Sequence, residues 1–177
     1  MHIRRAKAAE SPIRRYMEEL WVPYNRELGE TVEAQGLSTE FDIEAEIEWQ
    51  TDHLDTPDRR LWVALDDVDD STAPLEEIDA TFAGFISVDF NPAPSSFDWP
   101  DRLVIGDFFV KKLYRGEGLA DKLVARAVQF AREAGCEQLA LEVDIDNERA
   151  LAYYEKLGFE VGRYRMRAPV KEIELDV

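Results

Sequence analysis

The stretch Phe108–Ala120, FFVKKLYRGEGLA, constrains this 177-residue chain more than any other. An apolar run enters a turn that carries two glycines, Gly116 and Gly118, one residue apart. A helical pattern starts directly after them. Leu119, Leu123, Ala127, Phe130 and Ala134 fall on one stripe, widened by Val124 and Ala131, so the spacing predicts a helix over Gly118–Ala134, closed by Gly135. Glycine lets the backbone take positive φ and approach a ligand closely. The first helical turn leaves N–H groups unpaired, and the helix dipole adds positive potential there. A strand, a glycine turn and a helix start in this order make an anion cradle. Arg115 can add a charge-assisted bond. Two other phosphate loops are excluded. No Lys-Ser or Lys-Thr pair exists for a Walker A loop, and the three-glycine dinucleotide fingerprint is absent.

The segments around this unit read as a meander followed by a strand–helix–strand–helix order. His2–Ala8 is a weak first strand. Ser11-Pro12 starts a helix, with Ile13, Tyr16, Met17, Leu20 and Trp21 at helical spacing, and Pro23 kinks or ends it. A polar helix follows from about Asp42 to His53, then a turn at Thr56-Pro57-Asp58. Leu61–Leu65, Thr81–Phe90 (with Gly84 inside) and Arg102–Val110 are strands. The acidic connection Asp66–Asp79 reads as solvated, and Asn91–Pro100 as a loop. After the long helix come strand Gln138–Val143, a helix capped by Asn147 and ended by Gly158, and strands Phe159–Arg167 and Val170–Leu175. There is no repeat, low-complexity tract or linker. The expectation is one α+β domain over residues 1–177, built on a single mixed sheet.

Composition narrows the classes. Lys plus Arg is 21 against 38 Asp plus Glu, a formal charge of −17. That argues against nucleic acid or an anionic membrane as the main partner. The acids run from Glu10 to Asp176, and lysine occurs only at 7, 111, 112, 122, 156 and 171. A dispersed acidic coat with few lysines resembles proteins of salt-loving organisms, so the charge is not used to choose a substrate. One cysteine, Cys136, excludes an intrachain disulfide framework, and two histidines, His2 and His53, leave little for a metal site. No window of about 18 apolar residues exists, and the N-terminus lacks the apolar core of a secretory signal. The expectation is a soluble cytoplasmic domain that uses no metal.

Two motifs then carry a family resemblance. Arg115-Gly116-Glu117-Gly118-Leu119-Ala120 resembles the Gln/Arg-x-x-Gly-x-Gly/Ala motif of the GCN5-related N-acetyltransferase (GNAT) superfamily. Asn147-x-x-Ala150-x-x-Tyr153-Tyr154-Glu155-Lys156-Leu157-Gly158-Phe159 is similar to that family's second signature, and the order is right. The resemblance implies a mostly antiparallel mixed sheet, splayed between the strand ending at Val110 and strand Gln138–Val143, with helices on both faces. It implies acetyl-CoA as co-substrate. Arg115, Gly116, Glu117, Gly118, Leu119 and Ala120 would take the pyrophosphate. Backbone groups of Phe109 and Val110 would take the pantetheine arm and the acetyl carbonyl by strand addition, with Asn147 nearby. Glu117 places an acid in the loop, where it is expected to face solvent. Homodimers are common on this fold, although the sequence marks no interface.

The chemistry implied is transfer of acetyl directly to a primary amine. An alkylamine of pKa ~10.4 is only about one part in 2,500 neutral at pH 7, and removing its proton costs about 4.6 kcal/mol there. A base must meet that cost. Glu142 is one candidate by its strand position, and Asp107, on the strand entering the loop, is the second; water can also relay the proton. Tyr154 resembles the family tyrosine that protonates or stabilises the leaving thiolate. Trp21, Trp49, Trp62 and Trp99 are candidates for an aromatic acceptor wall. The acceptor, a small-molecule or protein amine, is not legible. Two other classes fit part of the pattern: a non-catalytic acyl-CoA sensor on the same fold, and an acidic interaction domain in which the glycine loop is only a turn.

Overall fold

The computed structural model describes residues 1–68 and 72–173. Residues 69–71 of the acidic connection and residues 174–175 of the last expected strand lie outside these. The chain divides into two compact units, Met1–Glu142 and Val143–Val177.

The first unit is a five-stranded sheet in the order β1-β2-β3-β4-β5. The strands are β1 (His2–Arg5), β2 (Arg59–Asp66), β3 (Thr81–Asn91), β4 (Arg102–Val110) and β5 (Gln138–Leu141). The first four pair antiparallel, and β5 pairs parallel to β4 after a helical crossover. Helices α1 (Glu10–Tyr16), α2 (Val22–Thr31) and α3 (Ile43–Leu54) precede β2, and α4 (Leu119–Glu133) supplies the crossover. Asp42 caps α3 by accepting from Glu44 and Ala45 N–H.

Each face of the sheet has its own helices. On one, Leu61, Val63, Leu65, Phe82, Phe85 and Phe109 pack with Ile13, Tyr16, Met17, Leu20, Ile47 and Leu54. Tyr16 and Tyr24 meet the Phe85 ring edge-on at 4.9 and 5.7 Å, contacts worth about 0.5–1.5 kcal/mol each. On the other face, α4 buries Leu119, Leu123, Val124, Ala127 and Ala131 against β2, β3 and β4.

Three sequence expectations change here. Pro23 does not end the helix. A π-helical turn, Met17–Trp21, joins α1 to α2, and Val22 N–H bonds the Met17 carbonyl five residues back. Pro23 has no N–H to give the Glu19 carbonyl, and the looser turn just before it absorbs that loss. Nor is the acidic connection merely solvated: Leu75 and Ile78 are buried in the core, and Arg15 donates to the carbonyls of Leu75, Ile78 and Ala80 at 2.7–2.9 Å.

The third change lies in the second unit. It holds α5 (Glu148–Lys156) and a 3₁₀ turn at Val170–Glu172, and Asp144 pairs with Arg167 at 3.7 Å. The expected strands Phe159–Arg167 and Val170–Leu175 do not form among the described residues. Their apolar pattern slips phase. Phe159 and Val161 would share one strand face, but Tyr164 and Met166 would share the other. Val161, Tyr164, Met166 and Val170 are accordingly 71–90% exposed.

Candidate active site

The C-terminal half of β4 carries two irregularities. The first is a bulge. Ile86 faces Phe108 and Val88 faces Ile105, so Gly106 and Asp107 together oppose Ser87. Ser87 fills the gap with its side chain: Oγ accepts from Asp107 N–H at 2.8 Å and lies 3.4 Å from the Asp107 carbonyl, to which it donates. A Cβ on Gly106 would stand 2.9 Å from that oxygen. The bulge also changes the face on which side chains emerge. Ile105 lies on the α4 side with Val88, whereas Asp107 and Phe109 emerge on the side of α1–α3.

Asp107 therefore meets the N-terminal helices. Its Oδ2 accepts from the Trp21 indole N–H at 2.9 Å, and Tyr24 also hydrogen-bonds it. Burial pushes the Asp107 carboxyl above the usual carboxylate range, against the lowering effects of Trp21, the Arg59 charge and Tyr24; the Asp89 charge pushes with burial. Arg59 itself is shared with Asp89, at 3.4 Å, and with Gln50 Oε1.

The second irregularity is the open end of β4. Its pairing with β5 runs from Arg102–Gln138 to Ile105–Leu141 and stops there. Among the described residues, no strand pairs with Gly106–Val110 on that side. Phe109 and Val110 pair with Phe85 and Gly84 on the other. That pairing is close: a Cβ on Gly84 would lie 2.6 Å from the Phe109 carbonyl oxygen and 3.2 Å from Val110 Cα.

Beyond Val110 the chain makes a 3₁₀ turn, Lys112–Tyr114, and enters the glycine loop. Gly116 and Gly118 have φ of +84° and +74°, values that other residues adopt only under strain. Gly118 is the left-handed N-cap of α4, and no side chain caps the first-turn N–H groups. Glu117 is exposed, as expected, while the Leu119 side chain goes into the core. Arg115 behaves differently from a free phosphate-binding cation. Its Nε donates to the Val110 carbonyl at 2.8 Å, and Nη2 donates to Glu27 Oε1 at 2.6 Å. Lys112 Nζ reaches the other Glu27 oxygen at 4.0 Å. The arginine thus ties the loop to α2.

The other sequence-predicted residues have the following surroundings. Glu142, just after β5, is exposed. In the second unit Asn147 caps α5, accepting from Ala150 N–H at 3.2 Å. Tyr154 packs edge-on against Phe159 at 5.5 Å and lies 5.7 Å from Tyr153, and burial pushes its phenol up to about 12. Of the tryptophans only Trp21 touches a candidate catalytic group; its ring also lies 5.8 Å from Phe41. Trp62 packs on Phe130, while Trp49 stacks on His53 and Trp99 on Phe97. Sequence reasoning missed Tyr24, Glu27, Ser87 and Gly106. A glycine inside a strand pattern, directly before an aspartate, was the available sign of the bulge.

A family profile described as "Acetyltransferase (GNAT) family" matches residues 16–159. The chain belongs to the GNAT family. The solved structure of the tetramutant BH1408 protein from Bacillus halodurans superposes with a TM-score of 0.73 at 15% identity, covering 96% of this chain and all of that one. An aminoglycoside N-acetyltransferase, AAC(6')-Iy, solved in complex with CoA, gives a TM-score of 0.62 at 18% identity over 94% and 95% of the two chains. These likenesses establish the GNAT fold. Among curated proteins, streptothricin acetyltransferase of Streptomyces lavendulae is 35% identical over 94 residues, 53% of this chain and 47% of that protein. The N-alpha-acetyltransferase MAK3 of Arabidopsis thaliana is 50% identical over 58 residues, 33% and 30% of the two. The chain therefore spans less than half the length of these relatives. In this GNAT chain, among the described residues, no helix is long and apolar enough to cross a membrane, and no group of three metal-ligating side chains occurs.

Proposed function

We propose that this GNAT protein is an acetyl-CoA-dependent N-acetyltransferase that acts on a primary amine, with Asp107 as its base. The observation that carries the reading is a juxtaposition: the enclosed Asp107 carboxylate sits inside Gly106–Val110, the five-residue end of β4 that β5 does not pair, and a turn with two left-handed glycines follows that end. When bound, acetyl-CoA supplies an activated acetyl thioester. The residues present fit it. Left-handed Gly116 and Gly118, with nothing within 4 Å of where a Cβ would stand, and the uncapped N–H groups of α4 suit a pyrophosphate. The side of Gly106–Val110 that β5 leaves unpaired suits an extended arm that adds as a strand, with the Val110 carbonyl shared with Arg115 Nε.

Asp107 is chosen over Glu142 because it is enclosed beside Trp21 and Tyr24, whereas Glu142 is exposed. An ordinary carboxylic acid and an alkylammonium differ by about 6.5 pH units, roughly 9 kcal/mol against proton transfer. Burial of Asp107 narrows that gap. Tyr154 is assigned, on its place in the second signature, to the leaving sulfur. A phenol raised to about 12 stays protonated at neutral pH. It lies about 3.5 pH units above a thiol near ~8.5, so full transfer is uphill by roughly 5 kcal/mol. Tyr154 therefore acts as a hydrogen-bond donor to the sulfur rather than as a complete acid.

A thiol-release assay over a panel of primary amines tests this. Wild type should release CoA with at least one amine. Asp107→Asn should lower kcat by about 10²- to 10³-fold with acetyl-CoA affinity unchanged. Tyr154→Phe should lower kcat by about tenfold, also without loss of affinity. Acetyl-CoA binding without release by any amine would favour a sensor instead.

A further inference from the structure

We propose that Trp21 is the positioning residue for Asp107, so that the π turn and the β-bulge form one device that aims and ionises the base. The inference rests on the acetyltransferase reading above. The geometry comes from two independent departures from regular structure. The bulge moves Asp107 from the α4 face, where Ile105 points, to the face covered by the N-terminal helices. The π turn ends at Trp21, which delivers its indole N–H to Oδ2 at 2.9 Å. Trp21 is followed by Tyr24 and Glu27 at three-residue spacing along the same helix. Tyr24 hydrogen-bonds Asp107, and Glu27 holds Arg115 of the glycine loop. One row of side chains thus runs from the base to the cofactor loop.

The electrostatics give Trp21 a definite sign. The groups that face Asp107 are Trp21 of the π turn, Tyr24 of α2, Tyr16 of α1, Arg59 of β2, and Ser87 and Asp89 of β3. Arg59 divides its charge between Asp107 and Asp89, with which it pairs. An indole N–H carries no charge and has one donor to give. Its bond favours the ionised carboxylate and holds one oxygen, which restricts the directions from which the carboxylate can take a proton.

The variant Trp21→Phe keeps an aromatic body on Phe41 and removes the donor. Two readouts decide. Carbon-13 carboxyl NMR of the full chain should show Asp107 titrating about one pH unit higher in Trp21→Phe than in wild type. Because the base works deprotonated, activity rises with pH through the Asp107 titration. The acid limb of kcat/KM should therefore move upward by the same amount, with acetyl-CoA affinity by calorimetry unchanged. An Asp107 titration that coincides in the two proteins overturns the proposal. So does a loss of activity in Trp21→Phe that is equal at every pH. If Trp21→Phe fails to fold, Tyr24→Phe tests the same row: an upward shift of the Asp107 titration supports the device, and no shift contradicts it. Failure of the broader reading looks different. Wild type would release no CoA with any amine, while the NMR titration would still decide the role of Trp21.

Discussion

Two neighbouring stretches, one within β4 and one beginning where β4 ends, differ in what they present. At Gly106–Asp107 the backbone is distorted: Ser87 Oγ bonds the Asp107 backbone, and the Asp107 carboxylate meets the side chains of Trp21 and Tyr24. From Val110 to Gly118 it is the backbone that, in the proposed function, would meet the cofactor. Arg115 is committed to Glu27, Glu117 is exposed, and two left-handed glycines carry the turn. Glycine serves in both stretches for different reasons. Gly84 and Gly106 are required by space, Gly116 and Gly118 by φ. One residue type therefore has two kinds of failure.

The largest effect should come from space. Gly84→Ala puts a methyl 2.6 Å from the Phe109 carbonyl oxygen and 3.2 Å from Val110 Cα, both backbone atoms of the neighbouring strand. Stability should fall by about 3 kcal/mol, read as a lower urea midpoint. An unchanged midpoint would show that β3 and β4 are not in this contact. Next comes φ. Gly118→Ala meets no atom within 4 Å, so its cost is strain of about 1–2 kcal/mol at φ +74°. If the loop flattens to relieve it, acetyl-CoA affinity drops about tenfold while the fold survives. A stability loss as large as that of Gly84→Ala would erase the distinction between the two kinds of glycine. The smallest effect belongs to the tie between the stretches. Glu27→Gln removes the charge from the 2.6 Å pair with Arg115, which is partly exposed, so stability should change by less than about 1 kcal/mol. The apparent acetyl-CoA constant should rise only a few-fold, since the proposed cradle rests on N–H groups. A hundredfold change would mean that Arg115 itself is the phosphate ligand.

The two stretches were unequally legible in the sequence. The loop was readable because backbone presentation leaves local traces: Gly-x-Gly, an amphipathic stripe from Leu119 to Ala131, and Gly135 at φ +75° closing the helix. The cap on α5 was readable for the same reason, since Asn147 bonds Ala150 three residues on. The bulge device was not. Trp21 and Asp107 are 86 residues apart, and Glu27 and Arg115 are 88 apart. Pro23 announces a helix break, yet an i→i−5 bond at Val22 has no residue signature of its own. The final segment shows the converse. Phe159–Arg167 has strand-forming residues but no constant phase, and the described chain leaves Tyr164 and Met166 exposed instead of pairing them.

The most direct test of the account is calorimetric titration of acetyl-CoA into the wild-type chain, Asp107→Asn and Gly118→Glu. The account predicts micromolar binding to wild type and to Asp107→Asn alike, and no binding to Gly118→Glu, because the backbone stretch holds the cofactor and the side-chain stretch does not. A folded wild-type protein that takes up no acetyl-CoA would contradict it.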